Sequence, residues 1–171
     1  MAEINGVMYS DSYLAILNMV INGELPKDFD QWSVAGKNGW SVAHEAAVHG
    51  YLPDDFTQWD LADQLGNTVA HVAVRYKKLP DNFKGWDWEN NNEVPVAHVA
   101  AAFGNLPDNF NKWGLLDYKG RTVAHICAIA NKIPEGFDKW HWKTLKGTTV
   151  RSAHNNRARL NINYILGLDC L

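Results

Sequence analysis

Four histidines, His44, His71, His98 and His125, stand in a column with a step of 27 residues. Imidazoles at a fixed spacing can serve as metal ligands or general bases. A zinc ladder would need ligand nitrogens about 2 Å from a shared ion, whereas packed helices approach to only about 8–10 Å. No unit adds a second His, Cys or carboxylate at a regular helical offset, so the column predicts no metal. The expected role is a hydrogen bond from each imidazole to backbone in the neighbouring turn. Cys127 lies two residues from His125, an offset at which side chains on a helix diverge. It shares its column with Ala46, Ala73 and Ala100, so a small packed residue is expected rather than a nucleophile. The chain has no Gly-rich phosphate loop after a strand and no nucleophile elbow. The sequence therefore predicts no enzyme, no catalytic residue and no cofactor.

The same step of 27 organises the rest of the chain. Leucine-proline recurs at Leu25-Pro26, Leu52-Pro53, Leu79-Pro80 and Leu106-Pro107, then as Ile133-Pro134. Phe29, Phe56, Phe83, Phe110 and Phe137 keep the step, as do Trp32, Trp59, Trp86, Trp113 and Trp140. Gly39, Gly66, Gly120 and Gly147 form another column, in which Glu93 fills the gap. Ser41, Thr68, Thr122 and Thr149 precede apolar stretches and suit helix N-caps; Pro95 takes that place in one unit and supplies no hydroxyl. A helix of about ten residues is expected next, ended by Gly50 and Gly104, with Lys77 and Asn131 in the same column. The proline then opens a second, shorter helix that carries Phe and Trp at i and i+3 on one face. An Asp-x-x-Gly turn closes the unit at Asp63–Gly66 and Asp117–Gly120. A unit of helix, short helix and turn cannot bury its aromatic face alone. Stacked units can, which makes the expected fold an all-α helical repeat solenoid.

"GWSVAHEAAVHGYLP" from Gly39 and "GRTVAHICAIANKIP" from Gly120 resemble the ankyrin repeat. Thr68 and His71 fall at the Thr and His of its Thr-Pro-Leu-His signature, and Ala46-Ala47 at its paired small residues. The departure is length, 27 residues here against about 33 in ankyrin repeats. The shortening falls in the second helix, where "LPDDFTQW" stands in for a longer one. The resemblance spans roughly residues 10–165. It implies a scaffold that binds other proteins, with turn tips and first helices facing the partner. Residues 1–171 are expected to form one repeat domain. Residues 1–24 form its N-terminal cap helix, 25–147 about four to five repeats, and 148–171 a degenerate C-terminal cap with Leu160 and Tyr164 in the repeat columns.

Composition narrows the partner class. Of 171 residues, 46% are hydrophobic and 20% charged, as in globular domains. The longest apolar stretches are too short to cross a bilayer, no secretory signal is visible, and two cysteines make no disulfide framework. A cytoplasmic setting without membrane contact is expected. Residues 1–63 carry ten acidic against two basic side chains, whereas residues 133–171 carry three against six. "HWKTLKGTTVRSAHNNRARL", His141–Leu160, holds five Lys or Arg and no acid. A nucleic-acid groove pairs cations with stacking rings. Here the repeated rings are expected in the core, so nucleic acid is disfavoured as a partner. Columns that vary between units and carry large or charged side chains are the candidates for recognition. They nominate Trp40, Glu45, His49, Asn67, Arg75, Tyr76, Phe103, Tyr118 and Arg121 as contacts for a partner protein. The expected role is a small inhibitor or adaptor, with a basic-region nucleic-acid binder and a homo-oligomer assembled through the aromatic patch as alternatives.

Overall fold

The computed structural model describes residues 2–4, 7–9, 11–77 and 79–157. Strands β1 (Ala2–Ile4) and β2 (Val7–Tyr9) form a short antiparallel hairpin, with Glu3 opposite Met8. This hairpin was not expected, and it precedes an otherwise helical repeat. Helices α1 (Asp11–Asn22), α2 (Val42–His49), α3 (Val69–Ala73, continued by one 3₁₀ turn to Tyr76), α4 (Val96–Phe103), α5 (Val123–Ala130) and α6 (Val150–Asn155) follow. The full-length repeat helices, α2, α4 and α5, have eight residues each. The chain forms two compact units, Met1–Pro80 and Asp81–Leu171. In the first, α1 packs on α2 and α2 on α3; in the second, α4 packs on α5 and α5 on α6.

From α2 onward the helix starts are closed by residues that the repeat supplies. Take α2. The Ser41 N–H donates to His44 Nδ1 at 3.1 Å, and the His44 N–H donates to Ser41 Oγ at 3.3 Å. The Val42 N–H reaches the Val34 carbonyl and the Ala43 N–H the Trp32 carbonyl. All four amides left without helical partners are thereby satisfied, through a capping box in which histidine takes the usual Glu or Gln place. Thr68 with His71, and Thr122 with His125, repeat the box. The Trp column and the apolar column two residues beyond it thus carry a second duty, because their carbonyls seat the next helix. Trp59 and Leu61 accept from Ala70 and Val69, Trp86 and Trp88 from Ala97 and Val96, and Trp140 and Trp142 from Arg151 and Val150.

The other ring nitrogen reaches into the following repeat. His44 Nε2 lies 2.9 Å from the Asn67 carbonyl, His98 Nε2 2.9 Å from that of Arg121, and His125 Nε2 2.9 Å from that of Thr148. Because Nδ1 accepts a backbone N–H in His44 and His125, Nε2 must carry the proton and donate. Each ring is therefore a neutral bridge between a helix start and the next turn tip. Both nitrogens of those two rings are in use, which removes them as metal ligands. Burial holds His44, His98 and His125 below the ordinary imidazole range, and His98 falls to about 4. His98 differs in one respect. Pro95 has neither hydroxyl nor N–H, so its Nδ1 is buried without a partner.

The short second helix does not form. Proline opens a single turn instead, closed by Phe29 N–H to Pro26 O, Phe56 to Pro53, Phe110 to Pro107 and Phe137 to Pro134. A second turn follows around each Trp, as in Val34 N–H to Gln31 O. The stretch between each proline and the bridge to the next helix, residues 27–34 in the first case, is too short to repay helix nucleation. Phe and Trp meet edge to face across these turns, not along a helix face. In the first unit Phe29–Trp32, Trp32–Phe56 and Phe56–Trp59 have ring centroids 4.8, 5.6 and 4.9 Å apart. In the second unit the ladder runs Phe83, Trp86, Phe110, Trp113, Phe137, Trp140 at 5.2–5.5 Å. Positive edges on negative faces add roughly 0.5–1.5 kcal/mol per pair beyond burial.

Tight turns close each unit before the next helix, where a bridge pairs Ala35 with Ser41, Ala62 with Thr68, Glu89 with Pro95, Leu116 with Thr122 and Lys143 with Thr149. The turn's first side chain accepts two backbone amides: Asp63 from Leu65 and Asn67, Asn90 from Asn92 and Val94, Asp117 from Lys119 and Arg121. The turn's last residue is left-handed. Gly120 has φ +66°, and a Cβ there would also collide with the Leu145 side chain. Glu93 adopts φ +53° with a side chain.

Two outcomes follow from these duties. Glycine removes the left-handed penalty that a side chain carries at position 93. Net of the unfolded-state entropy that glycine adds, Glu93→Gly should raise unfolding free energy by roughly 0.5–1 kcal/mol in urea titration. An unchanged or lower midpoint would show that Glu93 compensates through other contacts. The second outcome concerns pH. The unfolded chain protonates histidine near 6.5, while folded His98 stays neutral to about 4. The unfolded state binds more protons in that window, so stability is complete above about pH 6.5 and falls as pH drops through the window. Urea midpoints at about pH 7.5 and 5.5, where carboxylates stay ionised, should differ, with the lower value at pH 5.5. Equal midpoints would contradict the neutral-bridge assignment.

Candidate functional site

The nine residues nominated for partner contact divide between the two units. In the first, Trp40, Glu45 and His49 form one connected cluster. Trp40 Nε1 donates to Glu45 Oε2 at 2.8 Å, and the other Glu45 oxygen lies 3.3 Å from His49 Nε2. His49 stacks on Tyr51 with rings 9° from parallel, and Tyr13 anchors the backbone of Trp40 through its hydroxyl. Half-buried Trp40 and Glu45 and exposed His49 thus present a pre-ordered aromatic and acidic surface. Glu45 also sits in the first turn of α2, where the helix dipole favours a carboxylate. Tyr76 is 44% exposed at the end of the 3₁₀ turn, next to half-buried Arg75.

Asn67 does not belong to a surface. It is 2% exposed, its N–H and side-chain amide engage Asp63, and its carbonyl accepts from His44. Position 67 varies between units because its link to the histidine uses only its backbone carbonyl, and variation alone cannot separate that case from recognition. Arg121 occupies the same column. Its side chain is 11% exposed and is ion-paired with Asp117, whose carboxylate is fully buried. It neutralises that carboxylate and stiffens the turn, so it contributes a wall more than a free cation. The column led by Glu45 also turns inward: Val72, Val99 and Ile126 are 2%, 0% and 0% exposed. The wet side of the helices is set by the columns three and four residues further on. There, Phe103 is half-buried and Tyr76 and His49 are exposed.

In the second unit Tyr118 and Arg121 line an open groove of about 600 Å³, bordered by α5, α6 and the last two turn tips. Ile129 and Ala153 supply apolar floor, with Thr144, Thr148, Ser152 and Asn156 as polar positions. His125 borders it but already donates to Thr148. Leu145, which composition and period did not single out, projects from the rim at 80% exposure. Its signal was legible in hindsight. The column Lys37, Gln64, Asn91, Tyr118, Leu145 changes from polar to apolar in its last two members, and the next column ends in Lys119 and Lys146.

Cys127 is 1% exposed, and burial pushes its thiol up to about 12, so its thiolate is absent at neutral pH. No cluster of three or more His, Cys, Asp or Glu that could hold a metal occurs among the described residues. Among those residues no helix is long and apolar enough to cross a membrane. Of the basic C-terminal region, Lys143, Lys146, Arg151 and Arg157 are described. Arg151 lies 5.1 Å over the Trp140 ring, and Arg157 donates to the His154 carbonyl. Arg159, Leu160 and Tyr164 lie outside the described residues.

No protein-family model matches the chain, and a search of curated proteins finds no match. Among solved structures, the chain is similar to the ankyrin repeat domain of Bcl-3, described as a unique member of the IkappaB protein family. The likeness covers 90% of this chain and 78% of that one, with a TM-score of 0.56 and 14% sequence identity. The chain thus has the ankyrin-repeat fold, built from units of 27 residues.

Proposed function

We propose that this chain is a non-enzymatic protein–protein interaction module, a small inhibitor or adaptor that acts by covering a partner's surface. One observation carries the reading. Within each repeat the constant columns are consumed by helix caps, imidazole bridges and the aromatic ladder. The side chains left at turn tips and helix ends are large, and they differ from unit to unit. A frame of fixed parts with a variable surface is how repeat proteins present recognition sites. The even period supports reading residues 1–171 as a single repeat domain.

Trp40, Glu45, His49, Tyr76, Phe103 and Tyr118 are the residues that meet the partner. Aromatic anchors of this kind carry most of the energy at protein interfaces. The excess of acid in residues 1–63 suits a basic partner surface and would speed encounter with it. Occlusion of a host or defence protein that handles nucleic acid is the specific role this charge supports. The setting is a reducing, cytoplasmic one. A homo-oligomer formed through the same aromatic side chains is the second reading, supported by Tyr51, Tyr76 and Tyr118 at 44–47% exposure.

The test combines three substitutions with two readouts. Trp40→Ala, Tyr76→Ala and Phe103→Ala together should leave the circular dichroism spectrum unchanged. They should weaken capture of the partner from cell lysate by at least about tenfold. A triple variant that still binds fully would show that the contact lies elsewhere. Light scattering on the unmodified chain separates the readings, since a concentration-dependent mass abolished by the same substitutions would favour self-association.

A further inference from the structure

The groove of the second unit has a chemistry that the rest of the chain does not. Its last two turn tips read Tyr118-Lys119-Gly120 and Leu145-Lys146-Gly147. In the three earlier units the corresponding pairs are Lys37-Asn38, Gln64-Leu65 and Asn91-Asn92. An apolar side chain followed by a lysine therefore occurs twice, on successive tips, where the earlier tips have no such pairing. The two tips are locked to each other, because the Leu145 N–H donates to the Gly120 carbonyl at 3.2 Å. Gly120 is left-handed and leaves no room for a Cβ beside Leu145, so the leucine is held at the rim by backbone geometry.

A leucine at 80% exposure, set beside a tyrosine at 47%, is apolar surface for which folding gives no use. Both residues border the groove, whose floor includes Ile129 and Ala153, 9% and 6% exposed. The charge of the groove has one sign. Lys119 and Lys146 line it, and among the described residues neither has a carboxylate partner and no Asp or Glu lines it. The nearest acid in sequence, Asp117, is already spent on Arg121.

We propose that this groove, resting on the reading of the chain as a protein-binding module, takes an acidic segment of a partner protein. Its aliphatic or aromatic side chains enter between Tyr118 and Leu145, and its carboxylates face Lys119 and Lys146. Nucleic acid fits less well. Base stacking needs open ring faces, and the exposed ring in the groove, Tyr118, has the Lys119 ammonium 4.8 Å from its centroid. The floor is aliphatic, which suits a side chain rather than a base.

The experiment pans a random-peptide display library on the full-length chain and reads binding of the enriched peptides by fluorescence polarisation. Enriched sequences should pair Asp or Glu with Leu, Ile or Phe. Their Kd should rise by about tenfold or more in the Lys119→Glu/Lys146→Glu variant and with added salt, as charge complementarity requires. Leu145→Ser, a substitution at an exposed tip, should weaken them severalfold with an unchanged melting temperature. Enriched peptides without acids, or bound equally well by the double variant, would overturn this inference and leave the protein-binding reading standing. Failure to enrich any peptide would count against both. Binding of a single-stranded oligonucleotide that the same double variant abolishes would assign the groove to nucleic acid instead.

Discussion

Within each unit a hydrogen-bonded imidazole couples one repeat to the next. In His44 and His125 the imidazole accepts an N-cap amide on Nδ1 and donates from Nε2 to a carbonyl 23 residues later. Histidine suits this place for a physical reason. Glu or Gln could close the capping box, but neither presents a rigid donor on the far side of a planar ring. The bridge works only while the ring is neutral and held as one tautomer. Burial enforces the first condition and the cap amide the second. It places little demand on the partner's side chain, since the accepting carbonyl can belong to any residue. Asn67, Arg121 and Thr148 occupy that position with no side-chain chemistry in common.

A shortened repeat must replace what its second helix would have buried. Here two turns and a Phe-Trp ladder do so, at edge-to-face separations of about 5 Å throughout each unit. The carbonyl groups of the same tryptophans accept from helix-start amides, so a single residue fills the core and caps a helix. Most of the tryptophan content of the chain is absorbed in this way. That economy leaves side chains such as Tyr76, Tyr118 and Leu145 outside the frame, and the units diverge at those positions.

The third helical unit shows what happens when one part of the frame is missing. Pro95 satisfies the backbone geometry of an N-cap, with φ −69° and ψ 150°, but removes both the hydroxyl and the amide. The ring of His98 stays in place through its bond to Arg121, and its Nδ1 is orphaned. The bond to the next repeat therefore suffices to hold the imidazole, and the cap is the dispensable half of the pair.

The repeat was legible because its physics is local. Pro starts a turn, Ser or Thr caps a helix, and glycine or its substitutes end one, all within a few residues of the chain, so the helices and the 27-residue step could be read from the sequence. The fate of Leu-Pro-x-x-Phe is not local, because whether a proline turn extends to a helix depends on where the next helix must begin. Orientation was not legible either. Val72, Val99 and Ile126 sit in apolar runs that fit more than one helix rotation, and only packing between adjacent helices shows that they point inward. Asn67 and Leu145 mark the two limits. Both vary within their columns, yet one is buried because its backbone bonds to His44, and the other stands in solvent because Gly120 holds its turn against the neighbouring tip. Sequence determined which residues recur and which do not. Only the tertiary structure decided which of the variable ones can be touched, because exposure is set by contacts between repeats.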